Sequence, residues 1–314
     1  MKQKFIHFFN EINQKDISIA GGKGASLGEM TKAGFPVPEG FVISAFAFDN
    51  FLKETDINIE IESQLKKVDP KRTHTIDDVS QVLRSLIGRY QMPKDLEKEI
   101  LNAFDKLGTR YVAVRSSATA EDSKIASWAG ELETYLGITK KNLLEAVQKC
   151  WSSLFTPRAI FYRIEKKLDG KEVSVAVVVQ KLIDSEVAGV CFTCHPITKD
   201  KNQMIIEASW GLGESVVAGK VTPDAYVVDK KDMTILDINI NEQFTEIKRR
   251  DEGAKEIKVP KSRAGKQCLS EKKILELAKI CQRIENHYGF PCDIEWAQEK
   301  GKIYIVQSRP ITTL

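Results

Sequence analysis

Two short segments near the end of the chain carry polar residues whose types and spacing suit a metal and phosphate site. Asp293 and Glu295 alternate with apolar residues in the first segment, and Gln307 and Arg309 alternate in the second. Antiparallel pairing around a three-residue loop at 300–302 sets Glu295 opposite Gln307. The same register sets Asp293 opposite Arg309, and all four side chains share one face. Glu295 and Gln307 could share Mg²⁺ with a nucleotide, and Arg309 could meet its γ-phosphate. The alternative is a solvated face with an Asp293–Arg309 pair.

A glycine-rich segment near the start of the chain offers a second group suited to phosphate. Lys23 lies within Gly21-Gly22-Lys23-Gly24, and Gly28 follows four residues later. Bare backbone amides beside a lysine can hold phosphate oxygens. The spacing differs from the Walker loop and from the dinucleotide-binding fingerprint. A flexible turn with a solvated lysine is the alternative interpretation.

Arg115 is the third candidate for phosphate binding. It ends a predicted strand, 111–115, and precedes a loop of hydroxyl and acidic residues, 116–122. An arginine in this position can form a bidentate fork to phosphate, or it can pair with one of the loop acids. Further along, Gly130 permits close backbone approach and Thr134 supplies a hydroxyl.

The segment Cys191-Phe-Thr-Cys194-His195 has the spacing of a metal or redox motif but lacks its context. No second cysteine pair follows at zinc-site distance, so we expect these residues to pack in the interior. Pro196 follows His195 directly and no glycine-rich helix start surrounds it, so His195 is predicted to be a loop residue. The chain has six cysteines, which we expect to be reduced thiols.

The elements that position these residues follow from composition and periodicity. With 314 residues, 42% of them apolar, the chain can bury a large core in two subdomains. Apolar spacing predicts helices over 45–107 and 143–167 and another beginning after Ser270. Two β-rich runs, 173–180 and 188–193, flank a polar turn and suggest a hairpin. This mixed order of helices and strands predicts an α+β fold.

Charge and hydropathy exclude some functions. A net charge of +3, from 47 basic and 44 acidic residues, gives no field that argues for nucleic acid or membrane partners. No apolar run reaches the length of a membrane span, and the first 15 residues lack a signal-peptide pattern. We therefore expect a cytoplasmic protein.

Several motifs, in this order, resemble the nucleotide-binding domain of the phosphoenolpyruvate-utilising dikinases. The resemblance covers essentially the whole chain and implies an ATP-grasp-like fold that clamps ATP and Mg²⁺ between subdomains 1–187 and 188–314. The motifs that carry it are Gly21-Gly-Lys-Gly-Ala-Ser-Leu-Gly-Glu-Met, Val114-Arg-Ser-Ser-Ala-Thr-Ala-Glu-Asp, Cys150-Trp-Ser-Ser-Leu-Phe-Thr, Trp210-Gly-Leu-Gly-Glu, and Asp293-Ile-Glu-Trp with Ile305-Val-Gln-Ser-Arg-Pro.

The resemblance also implies a role for each candidate residue. Lys23 and Arg115 are implied to be phosphate ligands. Glu295 and Gln307 are implied to hold the metal. The others are Gly130, Thr134 and Tyr135 in a loop over the phosphates, Gln180 near the adenine, Asp293 in support of the metal ligands, and Arg309 on the transferred phosphates.

In the resembled family, AMP leaves ATP and the β-phosphate passes to a histidine on a separate swivelling domain. We expect that this chain alone cannot make phosphoenolpyruvate. Glu131 replaces the glutamine usual in the family and could weaken ATP binding or turnover. Two alternatives stay open: the ATP domain of a rifampicin-phosphotransferase-type enzyme, or a nucleotide-binding module without turnover.

Overall fold

The computed structural model describes residues 4–119, 133–165 and 174–312. The chain forms two compact units, one of residues 1–29 and 39–181 and the other of residues 30–38 and 182–314. Both units mix helices with an antiparallel sheet, so the expected α+β class is confirmed. The boundary between the two units falls at 181/182, and residues 30–38 belong to the second unit.

The first unit is built on a five-stranded antiparallel sheet in the order β1-β2-β5-β3-β4. Its strands are β1 (Ile6–Phe8), β2 (Gly40–Ile43), β3 (Val112–Ala118), β4 (Thr134–Ile138) and β5 (Val175–Lys181). Its helices are α1 (Ile17–Lys32), whose last residues belong to the second unit, α2 (Ala45–Glu54), α3 (Ile57–Leu65), α4 (Thr73–Arg89), α5 (Lys94–Leu107), α6 (Leu143–Ser152) and α7 (Pro157–Glu165).

Helices α2 to α7 share a hydrophobic core with one face of this sheet. Strand positions such as Val114 and Val179 belong to this core, which contains Trp151 packed between Phe48 and Phe51 with ring centroids 5.6 and 5.0 Å away. The apolar positions that define the predicted helical spacing therefore form the buried faces of these helices. The helix expected over 143–167 is divided instead, because Pro157 starts a new helix.

The second unit is built on a six-stranded antiparallel sheet in the order β13-β12-β6-β7-β8-β9, with β10 and β11 forming a separate pair. The strands are β6 (Val187–Phe192), β7 (Gln203–Trp210), β8 (Asp224–Asp229), β9 (Thr234–Asn239), β10 (Thr245–Arg249), β11 (Ala254–Lys258), β12 (Cys292–Glu299) and β13 (Lys302–Pro310). The helices are α8 (Glu214–Val217), α9 (Lys261–Ala264) and α10 (Glu271–Tyr288).

The hairpin expected between the two central β-rich runs is wrong. The first run is β5, a central strand of the first sheet, and the second is β6, a central strand of the other sheet. The polar residues between them therefore connect the two units. A turn signal between two strands does not reveal whether both strands join the same sheet.

Residues 30–38 join the second unit through contacts that sequence patterns do not reveal. The amide of Ile305 on β13 donates to the carbonyl of Pro36 at 2.9 Å. The ring of Phe35 packs edge-on against His287 of α10, with ring centroids 5.9 Å apart. Helix α10 follows its N-cap residue Ser270, as predicted, and is followed by its C-cap residue Gly289, whose φ of 77° suits glycine.

A buried carboxylate, Asp224, ties together three segments of the second unit. Its Oδ2 accepts from the Tyr226 hydroxyl at 2.9 Å and the Cys268 amide at 2.8 Å. Its Oδ1 accepts from the Asn241 amide at 3.1 Å and the Gln243 side chain at 3.3 Å. Burial, reinforced by this carboxylate, raises the pKa of Tyr226, so its hydroxyl stays a donor.

We expect Asp224→Ala to lower the free energy of unfolding by about 3 kcal/mol or more, because it leaves several buried donors without an acceptor. Asp237→Ala, on the exposed edge strand β9, is the control and should change stability by less than about 0.5 kcal/mol. Urea unfolding followed by circular dichroism measures both. Equal effects of the two substitutions would contradict this role of Asp224.

Candidate functional site

The face of the first sheet that lies opposite the helical core carries the first group of candidate residues. Arg115 on β3 pairs with Val178 on β5 and with Thr134 on β4. Gln180 on β5 pairs with Ala113, two residues before Arg115. Since directly paired residues share a face, Arg115, Thr134 and Gln180 lie on the same side of the sheet.

Arg115 lies inside its strand and not at the strand end, where the sequence placed it. Strand β3 continues to Ala118, and the Arg115 side chain is only 7% exposed. The hydroxyl residues expected to begin a loop are therefore strand residues. Ser and Thr are compatible with a buried strand when their hydroxyls are hydrogen-bonded, as that of Ser117 is.

The glycine-rich segment rests directly on this face. The Ser117 hydroxyl donates to the carbonyl of Ala20 at 2.9 Å and accepts from the amide of Gly24 at 3.2 Å. Gly21 interrupts α1 with a φ of 65°. A Cβ on Gly21 would lie 2.2 Å from the Ser117 carbonyl oxygen, so only glycine fits this contact.

This geometry places Lys23 at the start of a helical segment. The helix resumes after Gly21 and continues to Lys32, so Lys23 lies in its first turn. The amides of a first helical turn have no acceptor within the helix and attract anions. The glycine-rich segment is thus part of a kinked helix, and its backbone amides lie beside the lysine.

Gly28, grouped with these glycines in the sequence, has a packing role instead. A Cβ at this position would lie 2.7 Å from the Cβ of Ile12 and 2.8 Å from its carbonyl oxygen. The absence of a side chain lets α1 pack closely against the segment that precedes it.

The other candidates of the first unit lie before or within strands β4 and β5. Gly130 and Glu131 lie outside the described residues. Thr134 and Tyr135 begin strand β4 instead of lying in the expected loop. The Tyr135 hydroxyl donates to Glu133, and burial together with this bond raises the pKa of Tyr135. Gln180 is 2% exposed and stands next to last in β5.

The second group of candidates lies on the β12–β13 hairpin, in the predicted register. Glu295 pairs with Gln307, and Asp293 pairs with Arg309. The tip differs from the prediction: it is a two-residue turn, Lys300-Gly301, with φ of 49° and 73°. A bulge between Glu295 and Trp296 restores the expected pairing beyond it.

Arg309 and Asp293 form a cross-strand ion pair. The Nη2 and Nε atoms of Arg309 lie 2.8 and 2.9 Å from Oδ2 of Asp293. Burial raises the pKa of Asp293, and Arg309 opposes this shift while Glu295 adds to it. Arg309 is thus oriented by Asp293, and the neighbouring oxygens of Glu295 and Gln307 share its face.

Sequence reasoning missed one carboxylate on this face. Glu207 on β7 pairs with Val190 on β6, which in turn pairs with Glu295. Glu207 therefore shares the face of Glu295, and burial followed by the charge of Asp293 raises its pKa. A single acidic residue in an apolar segment forms no recognisable sequence motif. Glu207 reaches this site only because β6 lies between β7 and β12 in the sheet.

In the cysteine and histidine segment, the two cysteines are buried and His195 lies in a loop, as predicted. Cys191 and Cys194 are buried thiols, and burial followed by a bond with Cys281 of α10 raises the pKa of Cys191. Nδ1 of His195, in the loop after β6, accepts from the amides of Ile197 and Thr198 at 3.2 and 3.3 Å.

Within residues 4–119, 133–165 and 174–312, no group of three or more His, Cys, Asp or Glu side chains is arranged to hold a metal. A cation at Glu295 and Gln307 would therefore need further ligands from a phosphate or water, as Mg²⁺ bound with a nucleotide commonly has. The same part of the chain has no helix long and apolar enough to cross a membrane.

Comparison with known proteins gives the class of this domain. Residues 17–314 match the family described as the pyruvate phosphate dikinase AMP/ATP-binding domain. The chain therefore belongs to this family, and the predicted family is confirmed. Its class is that of an AMP/ATP-binding domain.

Several relatives of this chain are named phosphoenolpyruvate synthase. A probable phosphoenolpyruvate synthase of Methanocaldococcus jannaschii is 49% identical over 319 residues, covering 99% of this chain and 27% of that protein. One from Methanothermobacter thermautotrophicus is 44% identical, covering 99% of this chain and 46% of that protein. The phosphoenolpyruvate synthase of Pyrococcus furiosus is 40% identical, covering 100% of this chain and 44% of that protein. The chain thus spans less than half the length of these relatives.

One solved structure aligns with part of this chain. D-alanine–D-alanine ligase from Helicobacter pylori aligns with a TM-score of 0.32 and 11% identity, over 75% of this chain and 54% of that chain. This likeness is too small to carry a conclusion, so the ATP-grasp assignment rests on the family resemblance.

The contact at Gly21 can be tested by substitution. We expect Gly21→Ala to lower the free energy of unfolding of the first unit by at least about 3 kcal/mol, since it adds a steric clash to an unfavourable φ. Gly108→Ala is the matched control, with a φ of 59° and no atom within 4 Å of the added Cβ. It should cost only about 1 kcal/mol. Similar losses in urea unfolding would show that the Ser117 contact adds nothing.

Proposed function

We propose that this chain binds MgATP and donates a phosphoryl group as the nucleotide half of a phosphoenolpyruvate-synthase-type dikinase. The observation that carries the proposal is the pairing of Glu295 with Gln307 beside the Asp293–Arg309 pair, in a chain of the AMP/ATP-binding family. The names of the relatives favour this branch over the rifampicin phosphotransferases.

In the first unit, Lys23 and Arg115 bind phosphate oxygens. Lys23 adds its charge to the first turn of a helix, where anions are stabilised. Arg115 is held in the middle of a sheet, so little side-chain freedom is lost when its guanidinium fork meets a phosphate. Thr134 and Gln180 lie on the same face, and we assign them to nucleotide binding as well.

In the second unit, Glu295 and Gln307 hold Mg²⁺ through a carboxylate and an amide oxygen. This donor set fits a hard cation that takes one or two carboxylates and completes its shell with phosphate and water. When bound, Mg²⁺ neutralises the charge that develops on the phosphates. Asp293 keeps the Arg309 guanidinium oriented, and Arg309 contacts the transferred phosphates.

The acceptor of the phosphoryl group is a histidine of a separate, swivelling domain. In the proposed reaction the histidine attacks the β-phosphorus of ATP and AMP leaves, and water then releases the γ-phosphate as inorganic phosphate, so that the β-phosphate stays on the histidine. We do not assign this role to His195, which lies in the loop after β6 with its Nδ1 accepting from two backbone amides. The protein's own contribution is to position the phosphates, which phosphoryl transfer needs more than covalent catalysis.

The metal assignment predicts a specific loss. We expect Glu295→Ala to bind ATP with an affinity that no longer rises when Mg²⁺ is added, because the carboxylate that shares the metal is gone. Isothermal titration with ATP, with and without Mg²⁺, measures this. Glu256→Ala, on the exposed strand β11, should retain the wild-type Mg²⁺ dependence. A Glu295→Ala variant with unchanged Mg²⁺ dependence would refute the assignment.

The transfer itself can be tested with [β-³²P]ATP and separately produced histidine domains. We expect AMP release and labelling of a phosphoenolpyruvate-synthase histidine domain, and none of a rifampicin-phosphotransferase domain. Labelling of only the latter would exclude the proposed branch. If the chain binds MgATP but neither domain is labelled and no AMP forms, it is a binding module without turnover.

A further inference from the structure

A polar network beside Arg115 connects the helical cap of the first unit to the start of strand β4. Nη2 of Arg84, on α4, lies 2.7 Å from Oε1 of Glu133. The other carboxylate oxygen of Glu133 accepts from the Tyr135 hydroxyl. Both oxygens of one carboxylate are thus bound to different elements, which fixes the orientation of the Glu133 side chain.

The backbone of Glu133 is fixed at the same point. Its carbonyl oxygen accepts from the amide of Ser116 at 3.1 Å and from the Ser116 hydroxyl at 3.0 Å. Ser116 directly follows Arg115, and Thr134 directly follows Glu133 and pairs with Arg115. The network therefore holds Thr134 and Arg115 in register with each other.

Two side chains of helix α6 also contact this network. The Lys149 ammonium of α6 lies 5.9 Å from the centre of the Tyr135 ring. The thiol of Cys150 contacts the Glu133 carbonyl at 4.0 Å. Burial, followed by the charge of Glu133, raises the pKa of Cys150, and Lys23 opposes this shift.

The magnitude of the ion pair favours a role in positioning over one in stability. The side chains of Arg84 and Glu133 are 32% and 29% exposed, and ion pairs near the surface contribute only about 0–1 kcal/mol to folding. The network lies at the strand start that carries Thr134, where a small displacement changes the geometry of phosphate binding.

We propose that Arg84 and Glu133 are positioning residues for the nucleotide site, acting through Thr134 and Arg115 without touching the ligand. The sequence does not mark this role, because Arg84 is one of several charged residues on the polar side of an amphipathic helix. The inference rests on the proposed function, in which Thr134 and Arg115 bind the nucleotide.

The test compares MgATP affinity and unfolding in Arg84→Gln and Arg84→Lys. We expect Arg84→Gln to raise the Kd for MgATP by about tenfold, as loss of a supporting contact behind a ligand typically does, with little change in the urea midpoint. Arg84→Lys keeps the charge next to Glu133 and should recover most of the affinity. Lys140→Gln breaks an exposed 2.6 Å ion pair with Asp105 in the same unit and should leave the Kd unchanged.

A second background tests the route of the effect. If Arg84 acts through Thr134, Arg84→Gln should weaken binding much less in a Thr134→Val protein than in the wild type. An equal loss in both backgrounds, or no loss in either, overturns the inference. If Arg84→Gln does not fold, Glu133→Gln, which keeps an acceptor for Tyr135, takes its place with the same expectations. Absence of MgATP binding in the wild type would instead refute the proposed function.

Discussion

The contact between Gly21 and Ser117 is the constraint on which the candidate site of the first unit depends. A Cβ at Gly21 would lie 2.2 Å from the Ser117 carbonyl oxygen, and the Ser117 hydroxyl bridges Ala20 and Gly24. Helix α1 approaches strand β3 this closely at Gly21. The helical segment that begins after Gly21, which contains Lys23, therefore lies on the sheet face that carries Arg115. The backbone geometry thus selects which charged groups share a face before any ligand is considered.

Both units use the two faces of an antiparallel sheet in the same way. In the first, α2 to α7 share a core with the face that carries Val114 and Val179, while Arg115 and Gln180 lie on the other face. In the second, Cys191 contacts α10, while its neighbour Val190 shares the opposite face with Glu295. The apolar face supplies the stability, so the other face can carry polar residues that stability alone would not favour.

The sequence predicted the second candidate group better than the first. Alternation in two adjacent segments determined the pairing of Glu295 with Gln307, because a hairpin places both strands in one sheet. The assumed three-residue loop was wrong, and a shorter turn and a bulge compensate for each other. Alternation indicates a face, whereas turn length and bulges depend on local backbone conformation that the pattern does not encode.

The errors elsewhere share a physical cause, which is long-range packing. The sequence pattern predicted β5 and β6 as strands, but it did not show that they belong to different sheets. Glu207 and residues 30–38 reach their places only through the order of strands and the contacts of an edge strand. A single sequence contains local propensity and periodicity, and these do not determine which distant segments meet.

Rigid support, more than the number of charged residues, distinguishes the candidate site from the rest of the surface. Lys140 and Asp105 form an ion pair as short as that of Arg84 and Glu133, but with both side chains about half exposed. Such a pair has little effect beyond itself, because solvent screens it and both side chains remain mobile. The carboxylate of Glu133 is held by two elements, and its carbonyl is bonded to the residue after Arg115. A chemistry that relies on positioning phosphates needs its charges on supports of this second kind.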